Sequence, residues 1–243
     1  MQRSIIEIFS SVQGEGKYVG CRQVFVRFEG CNLACRYCDT ENAPGAHPHC
    51  RIERQAGSQS FYERENPLTP MQAAEEINRL LAETPHQAVS FTGGEPLLQA
   101  EFIHALRPLL AVPFFLETNG TCVPQLEEII EDVDIISMDI KLPSVLSRPV
   151  WEEHRRFLAV ARRKDLYLKM VLSAETTREE FEAAIRLIGA CAPDTLLVLQ
   201  PVTPFGGCVA IAPERMLAAQ SFAAKRLRDV RVIPQTHRMM DQL

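Results

Sequence analysis

Gln87-Ala88-Val89-Ser90-Phe91-Thr92-Gly93-Gly94-Glu95-Pro96 is a short apolar run that stops at two glycines and a proline. Its first six residues suit a buried strand, and the glycines let the chain turn sharply at its end. The same unit repeats outward from this point. Six principal strands are expected at 23–28, 87–92, 113–118, 134–141, 166–172 and 195–200, with a shorter run at 230–233 and an N-terminal edge strand at 5–9. From residue 87 onward they alternate with stretches of helical period, the pattern of βα units around a parallel sheet in an α/β fold. Thr69-Pro70-Met71-Gln72 starts one helix, with a capping Thr, Pro at the first helical position and Gln completing a capping box. Ala74, Ile77 and Leu81 then form its apolar stripe. Thr177 and Glu180 open another helix in the same way, with Ala184, Leu187 and Ile188 on one side.

Composition narrows the function. With 243 residues, 46% of them hydrophobic, the chain can build one sizeable core, so a single domain over 1–243 is expected. Twenty-six Lys and Arg against 31 Asp and Glu give a net charge of −5 without a long like-charge run. That balance argues against a nucleic-acid groove or an anionic membrane surface and favours a small-molecule substrate. Neither a signal peptide nor an apolar stretch near the roughly 18 residues of a membrane span is visible, so a cytoplasmic protein is expected. Residues 1–22 form an N-terminal extension. The stretch 41–69, with Pro44, Gly45, Pro48, Gly57 and Pro67 among polar residues, is expected to be a loop insertion with at most short local structure, either a cover for a site or a surface insertion.

Gly30-Cys31-Asn32-Leu33-Ala34-Cys35-Arg36-Tyr37-Cys38-Asp39-Thr40 places three of the eight cysteines within eight residues at the end of the 23–28 strand. Thiolates this close converge on a soft metal centre. A closed zinc site needs a fourth ligand, for which His47, His49 or Cys50 is available. An iron–sulfur cube held by three cysteines keeps one iron open. The other five cysteines stand singly and suit small buried hydrophobes.

The spacing C-x-x-x-C-x-x-C with Tyr37 before the last Cys resembles the radical S-adenosylmethionine superfamily. Thr92-Gly93-Gly94-Glu95-Pro96 resembles the segment bordering the cofactor's methionine in that superfamily. Ser11-Val12-Gln13-Gly14-Glu15-Gly16, Phe25-Val26-Arg27-Phe28 and Cys38-Asp39-Thr40 narrow the likeness. Together with Glu117-Thr118-Asn119-Gly120-Thr121, Ser137-Met138-Asp139-Ile140-Lys141, Gln200-Pro201 and Gln235-Thr236-His237, they resemble the 7-carboxy-7-deazaguanine synthase family along nearly the whole chain.

That resemblance implies an incomplete TIM-type (β/α)6 barrel, open on one side. It also implies conversion of 6-carboxy-5,6,7,8-tetrahydropterin to 7-carboxy-7-deazaguanine with loss of ammonia, by 5′-deoxyadenosyl-radical hydrogen abstraction and ring contraction. A [4Fe–4S] cluster on Cys31, Cys35 and Cys38, S-adenosylmethionine and Mg²⁺ on Thr40 are the implied cofactors. Val12, Gln13, Gly14, Arg27 and Thr92 are the implied substrate contacts, with Glu15 a further candidate. Tyr37, Gly94, Ser137, Met138, Asp139 and Gln200 are the implied contacts to S-adenosylmethionine. A pterin substrate, an external, flavodoxin-like electron donor and a homodimer are the implied partners, without nucleic acid or membrane. In the family the C-terminal end reaches the substrate, often through a terminal proline; this chain ends Arg238-Met239-Met240-Asp241-Gln242-Leu243 instead. A glycyl-radical-enzyme activase shares the cysteine spacing but has no use for Gln13-Gly14-Glu15, Arg27 and Thr40 together. A non-catalytic zinc or iron–sulfur module is the alternative of another class.

Overall fold

The computed structural model describes residues 1–38, 40 and 45–242. Ten strands join in one sheet: β1 (Ile5–Val12), β2 (Arg22–Phe28), β3 (His49–Glu53), β4 (Phe61–Glu65), β5 (Ala88–Gly93), β6 (Phe114–Thr118), β7 (Ile135–Asp139), β8 (Asp165–Leu172), β9 (Leu197–Pro201) and β10 (Val230–Val232). Their spatial order is β10-β9-β8-β7-β6-β5-β2-β1-β3-β4. The six expected strands correspond to β2, β5, β6, β7, β8 and β9, which lie side by side and parallel. β10 continues the parallel run beside β9.

Between the strands run α1 (Pro70–Glu83), α2 (Ala100–Leu106), α3 (Val123–Ile129), α4 (Pro143–Leu146), α5 (Trp151–Ala161), α6 (Arg178–Cys191) and α7 (Pro213–Ala224). Both expected capping boxes are present. Gln72 N donates to Thr69 Oγ1 at 3.2 Å, and Thr69 N donates back to Gln72 Oε1 at 2.9 Å. Thr177 and Glu180 repeat the arrangement at α6. On α1, Ala74 and Ile77 are buried as expected, while Leu80 is fully buried as well and Leu81 only half-buried.

Alternation along the strands sorts the side chains into two layers. Val89, Phe91, Phe114, Leu116, Ile136, Met138, Leu168 and Met170 point outward into the core shared with the helices. Ala88, Phe115, Ile135, Tyr167 and Val198 point inward and fill the strand-start end of the curled sheet. Further along the same inward rows, Thr92 follows Ala88, Glu117 follows Phe115, Ser137 and Asp139 follow Ile135, Lys169 follows Tyr167 and Gln200 follows Val198. Each inward row thus changes from apolar to polar toward the strand's C-terminal end, where barrel folds of parallel strands place their sites.

Two expectations are corrected. The N-terminal strand is no edge: β1 pairs antiparallel with β2 on one side and parallel with β3 on the other. The stretch 41–69 is no plain loop, because β3 and β4 form an antiparallel hairpin that carries the sheet two strands further. Only Cys50 and Ile52 of β3 supply a buried apolar pair, so its alternation hides among charged neighbours. The hairpin is also held by remote partners. Arg64 donates to buried Glu76 of α1 at 2.9 Å, and the Tyr62 hydroxyl donates to the same carboxylate. Glu41 to Pro44, at the start of that stretch, and Leu243 lie outside the described residues. None of the described helices is long and apolar enough to cross a membrane.

Candidate active site

The cysteine loop leaves β2 and is seated at once on the turn after β5. Gly94 N donates to Phe28 O at 3.0 Å, and Glu95 N donates to Gly30 O at 2.8 Å. Gly93 makes this possible: its φ is +112°, and a Cβ there would lie 2.3 Å from Phe28 O. Glu95 then turns its carboxylate inward, accepting from Leu97 N at 3.1 Å, Thr118 Oγ1 at 2.8 Å and Asn119 N at 2.8 Å. Burial pushes this carboxyl up to about 7 against those three hydrogen bonds. Further along, Arg36 N donates to Val145 O at 3.3 Å. Cys31, Cys35 and Cys38 all line one cavity. Burial raises the Cys31 and Cys35 thiols, so a coordinated metal centre is what makes them thiolates.

The donor set fits a cluster better than a zinc ion. His47, His49 and Cys50, the candidate fourth ligands, do not line the cavity. Cys50 is fully buried in the core, and His49 stands on the hairpin 3.9 Å from Glu63.

The same cavity is lined by a buried charge network. Lys169 of β8 pairs with Glu15, just beyond β1, and lies 3.3 Å from Asp139 of β7. Lys141 donates to Asp139 at 2.6 Å and to the Tyr37 hydroxyl at 3.3 Å. Burial lowers both lysines, but the carboxylates around them outweigh it and keep both protonated. Burial would raise Glu15, yet the Lys169 charge and hydrogen bond hold it down at about 2. Gln200 and Gln235 also donate to Glu15, at 3.2 and 2.7 Å. Glu117 accepts from Gln13 Nε2 at 2.8 Å, Thr92 Oγ1 at 3.1 Å and Ser90 Oγ at 3.3 Å, and burial raises its carboxyl.

The structure brings nearly all the expected site residues to this cavity. Val12, Gln13, Gly14, Glu15, Arg27, Tyr37, Thr40, Thr92, Gly94, Ser137, Asp139 and Gln200 line it beside the three cysteines. Met138 is the exception: the strand alternation turns its side chain into the outer core, fully buried, so it can meet a ligand only through its backbone. Arg27 lines the cavity while its Nε donates to Glu7 at 2.8 Å. Glu117, Lys141, Lys169, Asn119, Gln235 and His237 were not singled out from sequence as site residues, yet all six line the cavity. For Glu117, Lys141, Lys169 and Asn119 the signal was a charged or amide residue on the inward parity of an otherwise apolar strand or just past its end, whereas Gln235 and His237 lie beyond β10 and carry no such signal. His237 packs on the Gly14 turn, where a Cβ on Gly14 would lie 2.0 Å from its Nδ1, and Thr236 N donates to Gly14 O at 2.9 Å.

A parallel, incompletely closed barrel with its cysteine loop at the strand ends defines a radical S-adenosylmethionine enzyme, and the Radical SAM superfamily model matches residues 25–188. In fold the chain is similar to QueE from Escherichia coli, with a TM-score of 0.60 and 22% identity over 98% of this chain and 95% of that one. It is also similar to a radical SAM methyltransferase from Sphaerobacter thermophilus, with a TM-score of 0.58 and 13% identity over 93% of this chain and 77% of the other. The 7-carboxy-7-deazaguanine synthase of Geobacter sulfurreducens is 43% identical over 242 residues, covering 98% of this chain and 96% of the relative. That of Archaeoglobus fulgidus is 35% identical, covering 99% of each. The chain belongs to the 7-carboxy-7-deazaguanine synthase family.

A [4Fe–4S] cluster and S-adenosylmethionine are accordingly its cofactors, and the cavity suits them. Besides the three thiols, Gln200 Oε1 is buried on the cavity wall with no hydrogen-bond partner among the described residues, as a group awaiting a ligand donor would be.

Proposed function

We propose that residues 1–243 act as one domain converting 6-carboxy-5,6,7,8-tetrahydropterin to 7-carboxy-7-deazaguanine with loss of ammonia, on the way to queuosine and related 7-deazapurines. The observation that carries this is a single cavity lined both by the cysteine loop and by the Gln13-Gly14-Glu15 turn. When bound, the cluster and S-adenosylmethionine supply the radical that starts the ring contraction.

The chain's own residues bind and orient. Val12, Gln13 and Gly14 offer backbone groups to a planar heterocycle, with Gly14 leaving room against His237. Arg27 spends its Nε on Glu7, and its terminal nitrogens keep their donors for the substrate's carboxylate. Thr92 reaches the substrate side, and its hydroxyl is oriented by Glu117. Tyr37, Gly94, Ser137, Asp139 and Gln200 hold S-adenosylmethionine, with Met138 contributing backbone alone. Lys141 and Lys169 flank Asp139 and hold its carboxylate in place. Thr40 would offer its hydroxyl to Mg²⁺, an ion that takes few protein ligands and would help to bind the substrate. An external electron donor of the flavodoxin type reduces the cluster, and two copies of the chain form a homodimer.

The reconstituted, reduced protein is expected to form carboxydeazaguanine without net consumption of S-adenosylmethionine. Stoichiometric 5′-deoxyadenosine with no such product would sink this reading. Thr40→Ala is expected to weaken the Mg²⁺ dependence of turnover several-fold while the cluster's absorbance stays as in the wild type. An unaltered Mg²⁺ response removes Thr40 from the site.

A further inference from the structure

Asn119 stands just past β6 with every polar atom engaged. Its N–H donates to Glu95 Oε2 at 2.8 Å, and its carbonyl accepts from His154 Nε2 at 3.1 Å. Its Oδ1 accepts from Thr121 N at 3.1 Å and Thr121 Oγ1 at 2.6 Å. The two amide hydrogens then go to Asn32 Oδ1 at 2.8 Å and to Cys31 Sγ at 3.9 Å. Asn32 Nδ2 donates to Thr121 Oγ1 at 2.8 Å, which closes a ring of three side chains.

Each bond fixes the sense of the next. Flipping the Asn119 amide would set its oxygen against Asn32 Oδ1 and its hydrogens against the Thr121 N–H, so the ring determines which atom faces the sulfur. A carbonyl can only accept, so His154 donates through Nε2. Its Nδ1 is buried with no partner among the described residues, and burial holds the ring neutral by lowering it to about 4. His154 is fully buried behind Asn119.

We propose that Asn119 is a positioning residue that sets the reduction potential of the cluster: its amide N–H donates to the Cys31 sulfur and favours the reduced state. The proposal rests on the reading that Cys31, Cys35 and Cys38 hold a [4Fe–4S] cluster. One-electron reduction adds negative charge that spreads onto the thiolate sulfurs, and a hydrogen-bond donor aimed at one of them stabilises that charge. The Asn32–Asn119–Thr121 ring keeps the donor aimed, and His154 fixes the backbone that carries it.

The test is a potentiometric titration of the full-length, anaerobically reconstituted protein, read by the electron paramagnetic resonance of the reduced cluster, with iron counted per chain. Asn119→Ala is expected to lower the reduced-to-oxidised ratio at a fixed potential about tenfold, equivalent to about 59 mV for one electron. Asn32→Ala opens the ring but leaves the Asn119 donor in place, still tied to Glu95, His154 and Thr121, and is expected to shift the potential in the same direction by clearly less than Asn119→Ala. Asn119→Asp retains the bonds to Thr121 while replacing the donor by an acceptor, and is expected to shift the potential in the same direction as alanine. A wild-type potential in both Asn119 variants, or an equal shift in Asn32→Ala, overturns the proposal. So does failure of both Asn119 variants to take up iron, which leaves the residue a folding role alone. A wild-type protein that holds no cluster fails the underlying reading instead.

Discussion

Lys169→Met is expected to destabilise the protein by about 3–5 kcal/mol, the loss that follows when one partner of a buried ion pair is removed and its counter-charges stay behind. Lys169 lies between Glu15 and Asp139, with side-chain exposures of 10%, 15% and 20%. Methionine matches its length but leaves two largely buried carboxylates without the positive charge between them. For a chain of this size the melting temperature falls by about 2–4 °C per kcal/mol, so a drop on the order of 10 °C is expected. Adding Glu15→Gln should recover part of it, because a neutral amide needs no counter-ion.

The acid limb of stability gives a second measurement. Glu15 has its folded value lowered from 4.5 to about 2, so it binds a proton less readily folded than unfolded. Its contribution is therefore complete above about pH 4.5 and is lost as pH falls toward 2. Lys169→Met removes the cause of that depression, so the difference between variant and wild type should shrink across this window. A single variant within 1 kcal/mol of wild type at neutral pH would show that the network contributes nothing to stability.

Gly93→Ala is expected to abolish cluster loading. A Cβ at this position would meet Phe28 O at 2.3 Å and Phe28 N at 2.5 Å, and these are backbone atoms of a paired strand that cannot rotate aside. The positive φ alone costs a non-glycine residue about 1–3 kcal/mol. The larger effect is geometric. The next two amides of the chain, those of Gly94 and Glu95, are the ones that seat the cysteine loop, so separating β5 from β2 displaces Cys31 as well. Gly20→Ala is the matched control, since Gly20 has φ +87° and nothing within 4 Å of the added carbon. It should lose about 1 kcal/mol and keep its iron. Equal iron content and equal melting temperatures for the two variants would rule out the steric argument.

What the sequence disclosed was whatever lay close together along it. The three thiols, the Gly-Gly-Glu-Pro turn, both capping boxes and the six parallel strands are local patterns of a few residues, and each is found where it was expected. What stayed hidden depends on remote partners. Cys50 and Ile52 read as a strand only once Glu7 and Ile8 are known to lie beside Arg51 and Ile52. Lys169 carries no local signal, and only the inward parity shared with Tyr167 places it beside Glu15. Met138 shows the same in reverse: it adjoins two cavity residues in sequence, yet its side chain points away from them. Asn119 stood within a quoted motif without a role, because its partners Cys31, Asn32 and His154 come from two other segments.

The contact between Glu15 and Gln235 also has a bearing on how the molecule comes together. These residues are 220 positions apart. For a flexible chain, closing a loop of that length costs about 2 kcal/mol more in entropy than closing one of twenty residues, and one hydrogen bond does not repay it. The bond becomes favourable only after the intervening strands have paired and brought the two ends near each other. The Glu15–Gln235 side of the reaction chamber therefore depends on every βα unit between the two residues.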